Sequence, residues 1–249
     1  MATTQSLSKN KSSARIIAIK VLSLFSSVRL YNVGLVAIAQ LFAALFIIAP
    51  DQPLLSILAD YRLWLIIIAS AATIAGGYII NNFYDKEKDL INRPHKTLLE
   101  KQVKQSTLWS VYFTLNGLAF VLGAIVSWRA GLFYAIYITA MWFYSHKLKK
   151  VLFMGNLMAA LLAVTPFFVL FMYYKNFYPV ILVHGSFLFL IIGMRELIKD
   201  LENLRGDLSQ NYRTLPVVLG ERTTKKFYTL LTIITIVPIT VLILFFETG

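Results

Sequence analysis

Residues 63–89 read LWLIIIASAATIAGGYIINNFYDKEKD, an apolar run that changes abruptly into a string of charges. The apolar part is long enough to cross a bilayer as a helix, which takes about 20 residues. Asn81, Asp85 and Asp89 follow at intervals of four residues, and on a helix this spacing places them on one slowly drifting face. An amide and two carboxylates are costly to bury without a cation. The stretch therefore predicts a transmembrane helix that ends in a divalent metal site.

The composition extends this interpretation to the whole chain. Of its 249 residues, 58% are hydrophobic and 14% are charged, whereas soluble domains are about 45–50% apolar and about 25% charged. We therefore predict an all-α fold, a polytopic transmembrane helical bundle that forms a single domain over residues 1–249. Seven apolar segments are candidate spans: Val28–Ala49, Leu63–Phe83, Thr107–Trp128, Gly131–Ser145, Val151–Tyr174, Phe177–Leu197 and Phe227–Phe246.

The first 26 residues are polar and then amphipathic, and they contain no small-residue cleavage site. They predict a helix lying in the membrane interface rather than a signal peptide. The chain has no cysteine, which excludes disulfides, iron–sulfur clusters and thiolate zinc sites.

The net charge of +12 is distributed unevenly along the chain. With the N-terminus inside, 21 of the 24 Lys and Arg residues fall on the same side of the membrane. The positive-inside rule then predicts that the N-terminus and both acidic stretches are cytoplasmic. This clustering at one membrane face argues against nucleic acid as a partner and favours anionic lipid or a diphosphate.

A second acidic stripe follows the sixth apolar segment, where residues 195–207 read RELIKDLENLRGD. Glu196, Asp200, Asn203 and Asp207 recur at helical spacing and share one face. Either stripe alone could be a solvated helix end with surface ion pairs, each worth about 0–1 kcal/mol. Two stripes at the same membrane face favour Mg²⁺, which binds through one or two carboxylates together with substrate phosphates.

Three further groups are candidate substrate contacts. Residues 144–150 read YSHKLKK and either anchor the helix end or contact a phosphate through Lys149. Arg29 and Asn32 begin the first span, and Arg93 and Lys199 lie beside the acidic stripes.

Taken together, these stretches resemble the UbiA superfamily of intramembrane prenyltransferases over about residues 27–246. The matching blocks are NNFYDKEKD at 81–89 with INRP at 91–94, residues 144–156, residues 199–207 with TLP at 214–216 and Gly220, and the Arg-x-x-Asn of Arg29 and Asn32.

The resemblance implies a bundle around a central cavity that opens laterally to lipid. It implies transfer of a prenyl group from an isoprenyl diphosphate, through an allylic cation, to a lipophilic acceptor. It implies catalysis by Asn81, Asp85, Asp89, Asp200 and Asp207, with Mg²⁺ held by these residues and Asn203. The implied substrate-binding residues are Arg29, Asn32, Arg93, Tyr144, Ser145, Lys149 and Lys199, and no haem or nucleotide cofactor is expected.

Within the superfamily, the second stripe is most similar to the geranylgeranylglyceryl-phosphate geranylgeranyltransferase branch. This implies geranylgeranyl diphosphate as the donor and a glycerol-phosphate ether lipid precursor as the acceptor. The alternatives are an aromatic prenyltransferase of quinone or chlorophyll biosynthesis, a cation-binding transporter and an inactive membrane scaffold.

The sequence departs from the family pattern at three points. Asn82 and Asn203 stand where Asp is usual, and the neutral Asn203 weakens the expected second metal site. The family typically has about nine spans against the seven counted here, so either the chain is truncated or two lipid-facing helices are missing.

Overall fold

The computed structural model describes residues 18–246, which are predominantly helical. The predicted N-terminal interfacial helix is covered only from residue 18, and residues 1–17 lie outside the described part. The helices are α1 (Ala18–Ser27), α2 (Leu30–Ala43, extended by the π-helical turn Ala44–Ile48), α3 (Leu54–Leu58), α4 (Tyr61–Asn92), α5 (Pro94–Glu100), α6 (Gln105–Val126), α7 (Trp128–His146), the 3₁₀ turn Leu148–Lys150, α8 (Met154–Tyr174), α9 (Pro179–Glu202), α10 (Leu204–Ser209) and α11 (Leu215–Phe246).

Within residues 18–246, six helices are long and apolar enough to cross a bilayer: α2 with its π-helical turn, α4, α6, α8, α9 and α11. The predicted all-helical bundle is confirmed. The remaining predicted span, Gly131–Ser145, corresponds to the 19-residue helix α7. Helix α7 is not among these six, and its Tyr134 and Tyr137 are both buried against the bundle.

The most deeply buried span is α4, which packs against α2, α6 and α7. A buried polar network joins these helices at mid-length. Gln40 on α2 donates to Ser70 Oγ on α4 over 3.1 Å, and Tyr134 on α7 donates to the Ile66 carbonyl over 2.8 Å. Because buried polar groups in an apolar medium need partners, this network fixes the relative register of the three helices.

Pro166 lies inside α8, and a neighbouring helix supplies the hydrogen bond that the proline cannot make. A proline cannot donate to the carbonyl four residues earlier, which here belongs to Leu162. Tyr137 Oη on α7 donates to that carbonyl over 2.9 Å. Gln40 Nε2 on α2 also donates a hydrogen bond to the Pro166 carbonyl, over 2.8 Å. The polar tyrosine in the fourth predicted span therefore compensates for the proline.

Helices α4, α7 and α9 end, and α6, α8 and α11 begin, at the basic end of the bundle. Short segments close this end: α5, the 3₁₀ turn Leu148–Lys150 and α10, which packs on α4. The last span contains a break at Gly220, whose φ of 78° and ψ of 160° lie outside helical values. A residue with a side chain rarely adopts this positive φ, so glycine is required there.

Candidate active site

The two acidic stripes meet at the basic end in a small space that we call the carboxylate cavity, with a volume of about 30 Å³. Helix α4 continues nine residues beyond the predicted end of its apolar segment and thereby brings Asp85 into the bundle. Helix α9 supplies the facing carboxylates. The lining residues are Asn81, Asp85, Lys88, Tyr144, Lys149, Val151, Gly155, Asn156, Glu196, Lys199, Asp200 and Thr214.

Asp85 is buried and held from two directions. Lys149 Nζ lies 2.7 Å from Asp85 Oδ1, and the Tyr212 hydroxyl donates to the same oxygen over 2.9 Å. Lys149 also donates to Asn81 Oδ1 over 3.2 Å. Burial lowers the pKa of Lys149 to about 8, against the opposing effect of the Asp85 carboxylate. Lys149 is therefore a cation held in a poorly hydrated site by one carboxylate and one amide.

The two carboxylates that α9 contributes to the carboxylate cavity differ in their partners. Asn156 donates to Asp200 Oδ2 over 2.8 Å, and Lys199 Nζ lies 2.6 Å from Glu196 Oε2. Arg195 also approaches Glu196, at 3.3 Å. Asp200 thus has a neutral amide as its hydrogen-bonding partner, which leaves its negative charge available to a cation in the cavity.

Asp207 lies on α10 with no exposed surface. Lys88 Nζ lies 2.6 Å from its Oδ1, and Thr214 donates to its Oδ2 over 3.2 Å. The Lys88 ammonium is the ion-pair partner of Oδ1, so both carboxylate oxygens of Asp207 have a partner within the protein. Asp207 is therefore a buried carboxylate whose charge is balanced by Lys88.

Tyr212 links the two stripes. Its hydroxyl binds Asp85, its backbone N–H donates to the Asp207 carbonyl over 2.9 Å, and Lys88 Nζ lies 4.7 Å from its ring centroid. Burial and the Asp85 carboxylate raise the pKa of the Tyr212 hydroxyl, which therefore stays protonated and remains a donor. The preceding residue, Asn211, has a φ of 55°, a left-handed conformation that asparagine tolerates.

Sequence reasoning missed the roles of Tyr212 and Lys88. Tyr212 lies two residues before the TLP run at 214–216, and that proximity was the available signal. Lys88 stands among alternating charges, which favoured a surface interpretation, and only the packing of α10 on α4 reveals its buried partner.

Helix α10 is docked by a side chain from α4. Asn92 Oδ1 accepts from the Gly206 N–H over 3.1 Å, and Asn92 Nδ2 donates to the Asn203 carbonyl over 3.3 Å. A Cβ at Gly206 would overlap the Asn92 side-chain amide. The small residue thus permits the close approach that places Asp207 beside Lys88.

Replacing Gly206 with Ala is therefore expected to displace the Asn92 amide and destabilise the fold by about 1–3 kcal/mol, the usual range for a forced rearrangement in a packed site. Thermal unfolding in detergent measures the change. Gly34→Ala is the matched control, because nothing lies within 4 Å of a Cβ at that helical position. Equal melting temperatures for the two variants would contradict the docking role of Asn92.

The structure does not bring every predicted residue to the carboxylate cavity. Asp89 lines a different cavity beside α1, α5 and α6. Arg29, Asn32 and Arg93 line an open groove with Lys96. Ser145, Asn203 and Asp207 are buried but do not line the carboxylate cavity. Asp89 separates from Asn81 because two steps of four residues accumulate roughly 80° of rotation around the helix.

The site has the donor chemistry for Mg²⁺. Its lining includes carboxylate and amide oxygens, the hard donors that Mg²⁺ prefers alongside phosphate oxygens. Within residues 18–246, no three Asp, Glu or His side chains are grouped to hold a metal ion by themselves. Lys149 and Lys88 occupy the positions next to Asp85 and Asp207. The residues fit a metal that binds together with a phosphorylated ligand.

Comparison with known proteins places this site in context. The UbiA prenyltransferase family matches residues 36–249. The digeranylgeranylglyceryl phosphate synthase of Thermococcus gammatolerans is 37% identical over 154 residues, which are 59% of this chain and 53% of that protein. That of Sulfurisphaera tokodaii is 29% identical over 198 residues, 79% of this chain and 69% of the relative. The matched part of the chain thus spans about half to two thirds of the length of these relatives.

Solved structures show the same fold. A digeranylgeranylglyceryl phosphate synthase structure superposes with a TM-score of 0.67 at 22% identity, covering 88% of this chain and 76% of that one. A UbiA homologue from Archaeoglobus fulgidus bound to DMAPP and Mg²⁺ gives a TM-score of 0.69 at 17% identity. The superposition covers 87% of this chain and 76% of the homologue.

Proposed function

Because this chain belongs to the UbiA prenyltransferase family, we propose that it transfers a prenyl group from an isoprenyl diphosphate to a lipophilic acceptor with the help of Mg²⁺. The family predicted from the sequence is confirmed, and with it a membrane-embedded chain. The observation that carries the proposal is the convergence of Asp85, Glu196 and Asp200 with Lys149 and Lys199 on one cavity. Carboxylates and lysines together are suited to a diphosphate with its metal.

The Asp-rich stripes supply the metal ligands in this proposal: Asn81, Asp85, Asp200 and Asp207, with Asp89 and Asn203 as further predicted members. Bound Mg²⁺ would neutralise charge on the diphosphate and assist its departure. The homologue from Archaeoglobus fulgidus was solved with DMAPP and with GPP, each together with Mg²⁺, which supports this assignment.

Two lysines of the carboxylate cavity bind the diphosphate directly in this proposal. Lys149 and Lys199 face the same cavity and stabilise the negative charge that develops on the leaving diphosphate, the type of electrostatic help that dominates many catalysed reactions. As the bond between the prenyl C1 and the diphosphate oxygen breaks, the acceptor oxygen bonds to C1 and its hydroxyl proton is released. Diphosphate leaves and an ether is formed.

Binding requires local rearrangement. Ligand pockets usually measure about 300–1,000 Å³, whereas the carboxylate cavity measures about 30 Å³. The diphosphate therefore has to separate Lys149 from Asp85, so that the ammonium turns to a phosphate oxygen and the carboxylate is freed.

The proposed acceptor is a glycerol-phosphate ether lipid precursor, and geranylgeranyl diphosphate is the proposed donor. The relatives named digeranylgeranylglyceryl phosphate synthase support this choice. We also propose that the basic end of the bundle is cytoplasmic, as the distribution of Lys and Arg predicts. Arg29, Asn32 and Arg93 remain predicted substrate contacts in the groove beside α5.

The test uses the 249-residue chain in nanodiscs with Mg²⁺ and radiolabelled geranylgeranyl diphosphate. Geranylgeranylglyceryl phosphate, an aromatic quinone precursor and a chlorophyllide are offered separately, each with an EDTA control. We expect Mg²⁺-dependent label only in the glycerol phosphate lipid. Label in an aromatic acceptor would support the quinone or chlorophyll alternative, and transfer that persists in EDTA would refute the metal requirement.

Tyr212→Phe tests the link between the stripes. Loss of its hydroxyl removes one hydrogen bond to Asp85, and bonds to charged groups contribute about 1.5–3 kcal/mol. We expect kcat/KM for prenyl transfer to fall about tenfold while the helical circular dichroism signal is unchanged. Tyr178→Phe, at an exposed tyrosine on the opposite end, is the matched control. Unaltered kinetics in Tyr212→Phe would show that Asp85 does not need this donor.

A further inference from the structure

A second cavity, the lysine-rimmed cavity, lies between α1, α4, α5 and α6 and has a volume of about 290 Å³. It shares no lining residue with the carboxylate cavity. Asp89 is the one lining residue that the proposed metal site includes, and the carboxylate cavity does not account for the remaining lining residues.

The wall of this cavity changes from apolar to cationic along the helices. Ile79 and Phe83 on α4 face Trp109 on α6, with the Phe83 and Trp109 ring centroids 4.9 Å apart. Lys86 follows on α4, roughly 10 Å from Ile79 at 1.5 Å per residue. Lys101 and Lys104 complete an exposed basic rim. Such a gradient matches an amphiphile with an anionic end.

The rim carries a net positive charge. Two carboxylates also line the cavity, Asp89 and Glu100. Glu100 is already paired, because Lys96 Nζ lies 3.3 Å from its Oε1 and Ser26 Oγ donates to the same atom over 3.2 Å. The three rim lysines therefore outnumber the one remaining carboxylate, and a phosphate is favoured at the rim.

A buried acceptor lies between the apolar wall and the rim. Asn82 donates through Nδ2 to the Ser27 carbonyl over 3.0 Å, while its Oδ1 is buried without a hydrogen-bond partner. An unsatisfied buried acceptor is costly, typically about 1–3 kcal/mol. A ligand hydroxyl at this depth would satisfy it.

We propose that the lysine-rimmed cavity binds a single-chain glycerol phosphate lipid with a free hydroxyl. The phosphate lies among Lys86, Lys101 and Lys104, the hydroxyl donates to Asn82 Oδ1, and the first methylenes of the chain pack on Trp109. A volume of 290 Å³ accommodates the phosphoglycerol group and the start of a chain. The lipid is of the class proposed as acceptor, and only that identification rests on the proposed function. The binding itself is independent of transfer.

The test measures binding, not transfer. The 249-residue chain carrying Trp64→Phe, Trp128→Phe and Trp142→Phe retains Trp109 as its single tryptophan. Its emission is followed in phosphatidylcholine nanodiscs during titration with an alkyl glycerol phosphate, an alkyl phosphate without the hydroxyl, or a lysophosphatidylcholine. We expect the alkyl glycerol phosphate to bind about tenfold more tightly than the alkyl phosphate, with the zwitterionic lipid weakest.

Two variants separate the two contacts. Lys86→Gln/Lys101→Gln/Lys104→Gln is expected to weaken both phosphate lipids at least tenfold, whereas the control Lys225→Gln/Lys226→Gln, on exposed α11 lysines, changes them less than twofold. Asn82→Ala is expected to abolish the difference between the lipids with and without the hydroxyl. Equal weakening by the rim and control variants, or a hydroxyl preference that survives in a folded Asn82→Ala protein, would overturn the proposal. Normal binding with no prenyl transfer would overturn only the proposed function.

Discussion

Asp85→Asn is expected to reduce kcat/KM for prenyl transfer about a thousandfold, which corresponds to about 4 kcal/mol of transition-state stabilisation. The substitution preserves the shape of the side chain and an oxygen that can accept from Tyr212, but it removes the charge needed to hold a cation beside the diphosphate. Initial rates with geranylgeranyl diphosphate and Mg²⁺ measure the loss. Asp51→Asn, at an exposed loop carboxylate, is the control.

The same substitution leaves Lys149 buried without its counter-ion, so lower activity could also follow from a weakened fold. Removing one partner of a buried ion pair costs about 3–5 kcal/mol. Asp85→Asn/Lys149→Met removes both charges and is expected to recover most of the thermal stability while remaining inactive. Near-normal turnover in Asp85→Asn would refute the role of this carboxylate. Recovery of turnover in the double variant would show that its role is only structural.

Lys88→Met is expected to lower the free energy of unfolding by about 3–5 kcal/mol, because it leaves the fully buried Asp207 carboxylate without its cation. For a chain of this size the melting temperature should fall by on the order of 10 °C. Lys86→Met is the matched control, since Lys86 is exposed two residues earlier on the same helix.

A double-mutant cycle with Asp207→Asn isolates the interaction between the two side chains. Lys88→Met/Asp207→Asn contains neither charge and is expected to be more stable than Lys88→Met alone. The ion pair contributes no stability if Lys88→Met and Lys86→Met have the same melting temperature and if adding Asp207→Asn to Lys88→Met does not raise it.

The sequence predicts the spans well where apolar periodicity is strong, but it places helix ends poorly. The second predicted segment ends at Phe83, whereas α4 continues to Asn92. Lys and Glu are good helix formers, so the charged run extends the helix beyond the apolar region. Hydropathy cannot locate that end, although it locates the membrane crossing.

Part of the candidate site can also be predicted from the sequence. Helical spacing correctly grouped Asn81 with Asp85, and Glu196 with Asp200. Asp89 does not line the carboxylate cavity, since the small rotation at each step of four residues accumulates along the helix. Tyr212 could not be predicted because its position depends on a left-handed turn and on the docking of α10, which are tertiary features.

The break at Gly220 divides α11 into a short first turn that packs near Asp207 and a long apolar part. Thr214 and Leu215 lie before the break, where Thr214 contacts Asp207, and the long apolar part follows it. Membrane helices adapt to bilayers of different thickness by tilting. A non-helical glycine lets residues 221–246 change their tilt while the preceding turn stays seated on α10. The contact between Thr214 and Asp207 at the basic end of the bundle is thereby preserved when the thickness of the surrounding membrane changes.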